Sequence, residues 1–201
     1  MVKFLLIRHG ESVANLEKRF CGQGNAPLTQ KGLSQAQTVT KYILENFKID
    51  AVYSSDLIRA YATVEPLAKE LGLEIKTCPA LREVDVGVWS GNLVSDIERD
   101  FPKEIATYRA DPENYTFRGG ECYGNIRYRA LDALREIALE NEGKTIAVGT
   151  HGGIIRNLIA MWRGQNVLDI TPMKNTSITE IHFSDGNFFL QGDPFCGHLE
   201  E

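Results

Sequence analysis

The chain has 201 residues, 43% of them hydrophobic and 24% charged, with a formal net charge of -5 at pH 7. That is enough apolar material for one well-buried core. The acidic balance excludes a nucleic-acid binder, which needs a basic surface to neutralise phosphates, but it allows a local arginine cluster to hold a small anion.

The opening run from Met1 to Ile7 is too short for a signal-peptide core or a membrane span, and charged residues follow at once. A cytoplasmic protein with no membrane partner is expected. Cys21, Cys78, Cys122 and Cys196 lack Cys-x-x-Cys pairing and read as reduced thiols, signalling neither zinc nor a disulfide framework.

Lys3 to Ile7 is a continuous apolar run that predicts a buried strand delivering Arg8-His9-Gly10 into a loop. Thr29 is the expected N-cap of a long amphipathic helix, with Leu33, Ala36, Val39, Tyr42, Ile43 and Phe47 at helical spacing. Ala51 to Tyr53 predicts a short strand ending in Ser54-Ser55-Asp56. Leu57 to Leu71 predicts a helix that Pro66 should kink or break. A third strand is expected near Leu73 to Thr77.

Ala80 to Pro102, rich in Gly, Asp and Trp, reads as a partly irregular segment with one short helix. Gly124 to Glu140 is helical by its apolar face, and Thr145 to Val148 is the next buried strand, leading to Thr150-His151-Gly152-Gly153. Ile154 to Trp162 predicts a helix. Ser177 to Phe183 and Phe188 to Leu190, joined through Asp185-Gly186-Asn187, predict a closing hairpin. No repeat or linker divides residues 1–201, so one domain is expected, a three-layer α/β/α sandwich with a mainly parallel sheet. Residues 80–117 would supply a lid and substrate segment.

In a doubly wound sheet, Arg8-His9, Ser54-Ser55-Asp56 with Arg59 one helical turn beyond, and His151 converge at one carboxyl edge. Phosphoryl transfer needs such a set, because the transferring group spreads negative charge over its oxygens and is stabilised by positioned cations. Arginine is permanently charged and bidentate.

Leu6-Ile7-Arg8-His9-Gly10-Glu11-Ser12 resembles the Arg-His-Gly-Glu signature of the histidine phosphatase and phosphoglycerate mutase superfamily. Gly22 through Gln37, Ser54 to Thr63, Leu81 to Gly91, Gly119-Gly120-Glu121 and Val148 to Arg156 resemble the later blocks, in the same order. The resemblance implies a phosphoglycerate mutase-like fold and a metal- and cofactor-independent enzyme acting on a small-molecule phosphate ester. His9 would become a phosphohistidine. Arg8, Asn15, Gly22, Arg59, His151 and Gly152 would hold the phosphoryl group, and Glu83 would be the proton donor and later the base. Asp85 is a second-ranked acid.

Other chemistries fit less well. Arginines beside His9 and His151 would repel a metal ion. Around Cys122 the arginines Arg127 and Arg129 miss the Cys-x-x-x-x-x-Arg spacing of a cysteine phosphatase. Gly143-Lys144-Thr145 echoes a P-loop but leads into a strand. His182 and His198 are assigned to structure or solvent, and Trp89, Tyr108, Tyr115, Phe117 and Tyr128 to core before pocket.

The resemblance leaves two enzymes sharing one catalytic core, a phosphatase and a phosphoglycerate mutase, and a third option, a non-catalytic phosphate-binding module. Mutases carry a lysine after the acid loop and an Arg-Arg pair that clamp the substrate. Gly91 to Ser95 has no lysine and the chain has no Arg-Arg pair, so hydrolysis is expected. The length resembles the broad-specificity and α-ribazole-phosphate phosphatases. Oligomeric state carries no signal.

Overall fold

A computed structural model describes residues 1–199. Its first strand, β1 (Val2–Arg8), is buried on both faces. Phe4 and Leu6 point to one core and Leu5 and Ile7 to the other, the two-residue period of a strand lying in the middle of a sandwich. Around it the chain lays down α1 (Val13–Leu16), α2 (Gln30–Asn46), β2 (Ala51–Ser54), α3 (Ile58–Leu71), β3 (Ile75–Thr77), α4 (Val94–Asp100) and α5 (Pro102–Ala110). The second half adds α6 (Ile126–Glu140), β4 (Thr145–Thr150), α7 (Gly152–Arg163), β5 (Ile178–Ser184) and β6 (Asn187–Leu190).

The strands form one six-stranded sheet in the order β3-β2-β4-β1-β5-β6. The first four strands in the chain run parallel, β5 runs antiparallel to β1, and β6 runs antiparallel to β5. On one face α2 and α3 bury Val39, Ile43, Val64 and Leu67. On the other α6 and α7 bury Ile126, Leu134, Ile154, Ile155 and Leu158. This is the three-layer α/β/α arrangement expected. The helix after β1 covers one face and the helix after β4 the other, so the sheet changes winding direction between these two neighbours. A crevice opens at such a point, beyond the strand carboxyl ends.

Thr29 caps α2 as expected, its Oγ1 accepting from Gly32 N at 3.0 Å. The closing hairpin turns through Asp185 and Gly186, both at positive φ, the backbone pair that a two-residue hairpin loop favours.

Three local expectations need correction. Pro66 lies inside α3, which continues to Leu71; the helix tolerates the lost hydrogen bond because Val64, Leu67 and Ala68 are buried around it. Ala80 to Pro102 holds the one short α-helix expected, α4, and α5 starts at its far end, parted at Phe101 because Pro102 disfavours a helical residue before it and starts a helix well. Helix α7 begins at Gly152, not Ile154, so both glycines are helical. The short α1 was not foreseen, although Ser12 and Asn15 make a reciprocal capping box.

Candidate active site

The register of the sheet brings the polar strand ends together. Arg8 pairs with Thr150, Ser54 with Gly149, His9 N donates to Thr150 O at 3.0 Å and Ser55 N to Gly149 O at 2.8 Å. His9, Ser55 and His151 therefore stand side by side at one edge. Gly10 N donates to Thr63 Oγ1 at 2.9 Å, and Thr63 Oγ1 donates to Arg59 O at 2.7 Å, tying the loop after β1 to α3.

His9 is 5% exposed. Its Nδ1 lies 2.8 Å from Gly10 O, which can only accept, so Nδ1 carries the hydrogen and Nε2 the lone pair. Arg59 Nε donates to that Nε2 at 3.3 Å. Burial, then the charges of Arg59 and Arg8, hold the imidazole well below its ordinary value, so the ring is neutral near pH 7.

Arg59 is 1% exposed, a buried cation that needs acceptors. The loop from Cys21 to Gly24 supplies them: Nη1 donates to Gly24 O and Nη2 to Gly22 O, both at 2.7 Å. Gly22 sits at φ +51, where a Cβ would meet Val86 Cγ2 at 2.7 Å, so glycine alone fits. Arg8 donates through Nη1 to Met173 O, while its buried Nε has no partner among the described residues. Burial lowers both guanidinium values and leaves them charged near neutrality.

Glu83 faces the two arginines. Its Oε1 accepts from Val84 N and its Oε2 from Gly153 N, each at 2.9 Å. The glycines that begin α7 are explained by these neighbours: a Cβ on Gly153 would lie 2.2 Å from Glu83 Oε1 and one on Gly152 3.2 Å from Arg8 Nε.

Arg8, His9, Asn15, Gly22, Arg59, Glu83 and Gly152 all line one cavity of about 270 Å³. The amino end of α7 opens onto it, where unpaired backbone N–H groups favour an anion. His151 is fully buried and is not on the wall. It packs against His9 with ring centroids 5.3 Å apart, and its Nε2 meets Ser55 Oγ at 2.8 Å while Nδ1 has no partner among the described residues. Burial first, and Arg59 next, keep it neutral as well.

Asp85 is not on the wall; its Oδ1 accepts from Gly87 N at 2.9 Å. Tyr108, Phe117 and Tyr123 line the cavity, Trp89 and Tyr115 are core and Tyr128 is exposed. His182 pairs with Glu180 at 2.7 Å, and His198 is buried against Tyr42. Three contributors escaped the sequence reading. Asn175 Nδ2 donates to His9 O at 2.9 Å, and Arg156 lines the cavity. Arg129 clasps the loop that carries Glu83, donating to Ala80 O, Arg82 O and Glu83 O at 2.6, 2.7 and 3.0 Å. Only Arg156 had a legible cue, standing one helical turn after Gly152.

The sequence pattern of the histidine phosphatase superfamily (branch 1) matches residues 4–192. This chain belongs to that superfamily. As a member of the histidine phosphatase superfamily it is 33% identical to phosphoglycerate mutase-like protein 4 of Arabidopsis thaliana, over 99% of this chain and 87% of the relative. It is 31% identical to phosphoserine phosphatase 1 of Hydrogenobacter thermophilus, over 100% of this chain and 96% of the relative. The solved structure of Bacillus stearothermophilus YhfR matches with a TM-score of 0.92 at 29% identity, covering 99% of this chain and 100% of that one. The expected family, fold and phosphatase class of enzyme stand.

Proposed function

We propose that this chain hydrolyses small phosphate monoesters in two steps through a phosphohistidine at His9. The observation that carries the reading is the neutral His9 ring with its lone pair on Nε2, buried between two guanidinium groups on a cavity wall. A nucleophile for phosphorus needs that lone pair, and the transferring oxygens need cations that are already in place.

In the first step His9 Nε2 attacks phosphorus, the ester P–O bond breaks and the leaving alkoxide takes a proton from Glu83. In the second, the Glu83 carboxylate takes a proton from water as its oxygen attacks phosphorus, and His9 is released. Arg8, whose Nε has no partner among the described residues, and Arg59 hold the phosphoryl oxygens, with Asn15, Gly22 and the Gly152 N–H around them. Ser55 Oγ, already accepting from Leu57 N, has a hydrogen to donate to His151 Nε2. That leaves the proton on His151 Nδ1, in the ring packed against His9.

The phosphoserine phosphatase relative supports a small phosphate ester as substrate, and four unpaired cysteines support a cytoplasmic setting. The test is trapping: wild type incubated with 32P-labelled ester should give an acid-labile, base-stable phosphoenzyme and release phosphate in excess chelator. His9→Ala should give neither. A labelled His9→Ala protein would end the reading. Isomerisation of 3-phosphoglycerate without phosphate release would point to the mutase, and no turnover of any ester to a binding module.

A further inference from the structure

Asn175, in the turn that leads into β5, is half-buried and is not on the cavity wall. Its side-chain nitrogen nevertheless reaches two residues that are. Nδ2 donates one hydrogen to His9 O at 2.9 Å and the other to Asn15 Oδ1 at 3.3 Å. The orientation of this amide is forced by its partners. His9 O can only accept, and Asn15 Oδ1 already accepts from Ser12 N at 3.1 Å. Turned over, the Asn175 oxygen would face two oxygens.

Two consequences reach the phosphoryl site. Asn15 Oδ1 is drawn towards Ser12 and Asn175, which leaves the hydrogens of Asn15 Nδ2 for a phosphoryl oxygen. The peptide joining His9 to Gly10 is held at both ends, at His9 O by Asn175 and at Gly10 N by Thr63 Oγ1, 2.9 Å away. That peptide is a rigid plane, and the next carbonyl along, Gly10 O, is the acceptor 2.8 Å from His9 Nδ1. Fixing the plane therefore fixes where Gly10 O stands and where the ring aims Nε2.

The turn is built under strain. Thr176, fully buried and β-branched, lies at φ +60, in the left-handed region that such a residue rarely enters. In that conformation Thr176 N turns back onto β1, donating to Arg8 O at 3.0 Å and to His9 O at 3.4 Å. Its hydroxyl donates to Asn175 O at 2.7 Å, and Met173 O, two residues before Asn175, receives Arg8 Nη1. One short turn thus holds Arg8, His9 and Asn15 together. Strain kept beside a nucleophile points to a positioning task.

We infer that Asn175 is a positioning residue for phosphoryl transfer, whose amide nitrogen aims His9 Nε2 and the Asn15 amide at one phosphoryl group without touching the substrate. The inference rests on the phosphohistidine reading of His9. Its effect falls on the step that phosphorylates His9, because both side chains it orients act there.

Rapid quench with 32P-labelled 4-nitrophenyl phosphate measures that step in a single turnover, with an aryl leaving group that needs little help from Glu83. Asn175→Asp keeps the shape and puts an oxygen where the NH2 group was. Phosphorylation should slow by about 100-fold, the cost of misplacement by about 1 Å, and Asn175→Ala should slow it by a similar factor. Asn15→Ala removes one of the two routes. Adding Asn175→Ala to it should therefore cost only about 10-fold more, the non-additivity of residues in one network. Phosphorylation at the wild-type rate in Asn175→Asp, or fully additive losses in the double variant, would overturn the assignment, since a residue that only supports the fold loses stability and adds independently. If the variants fail to fold, wild type still decides: both Asn175 side-chain hydrogens should exchange with solvent about 10-fold more slowly than those of a free asparagine amide, and exchange of either at the free rate would overturn the bridge. A wild type that forms no phosphoenzyme defeats the phosphohistidine reading and this one with it; a labelled wild type with unimpaired variants defeats only Asn175.

Discussion

The carboxylate of Glu83 is pinned to the first turn of α7 by the N–H of Gly153, 2.9 Å from Oε2. The same glycine leaves no room for a side chain, since a Cβ there would come within 2.2 Å of Oε1. Gly153→Ala should therefore fold, because alanine is the better helix former, while the carboxylate is displaced by about 1 Å. Misplacement on that scale costs about 100-fold in rate. Turnover of an alkyl phosphate measured beside thermal stability checks this: near-wild-type turnover would mean that the carboxylate position does not matter to the chemistry.

Glu83→Gln keeps the shape and removes the proton. Val84 N and Gly153 N donate to the two carboxylate oxygens, so a glutamine can satisfy only one of them and meets the other with its own N–H. Alkyl esters, whose leaving groups need protonation, should slow by about 100-fold or more, and aryl esters with good leaving groups far less. Kinetics on both classes decide it. Equal loss for both would move proton donation away from Glu83.

The convergence of Arg8, His9, Arg59 and His151 was legible because strand ends and helix starts follow from apolar period and capping, and the parallel register then places them. What the sequence concealed depends on contacts between distant loops. Arg129 reads as one more charged helix residue, yet it is distinguished by carbonyls of residues 80 to 83, some 46 to 49 positions away. Gly152 and Gly153 argue against helix by propensity, and only the approach of Arg8 and Glu83 explains them. His151 looked like a cavity residue, and packing places it against His9 instead.

Arg129 uses all five of its N–H groups: three bonds to the carbonyls of Ala80, Arg82 and Glu83 and two to the carboxylate of Glu121. Glu121 Oε2 in turn accepts from Asp85 N at 2.8 Å. Arg129→Ala would take the side-chain donor from the partly buried carbonyls of Ala80 and Arg82 and the cation from Glu121, and should cost about 2 to 3 kcal/mol of stability. It should also depress turnover of alkyl esters more than of aryl esters, because the loop it releases carries the proton donor. Urea unfolding with paired kinetics measures both. A stability loss with no change in the alkyl-to-aryl ratio would make Arg129 a structural clasp alone.

Two neutral imidazoles give the fold a pH dependence of definite sign. Burial, with Arg59 next in effect, holds His9 and His151 well below the ordinary 6.5, whereas the unfolded chain protonates both near that value. Below about pH 6.5 the unfolded state binds more protons than the folded one, so stability is fully present above that pH and is lost as pH falls. Each ring contributes a slope of up to about 1.4 kcal/mol per pH unit. The lowered carboxylate of Asp56, hydrogen-bonded to Arg82, loses its contribution only below its ordinary 3.8, so the interval from pH 6.5 to 5 isolates the imidazoles. Urea midpoints should fall steadily across that interval and fall less in a His9→Gln/His151→Gln double variant, where His198, lowered to a smaller extent by burial, remains. A flat wild-type profile would mean that neither ring is held below its ordinary value in the folded protein, and would remove the effect of burial and of the two guanidinium groups that keeps His9 neutral.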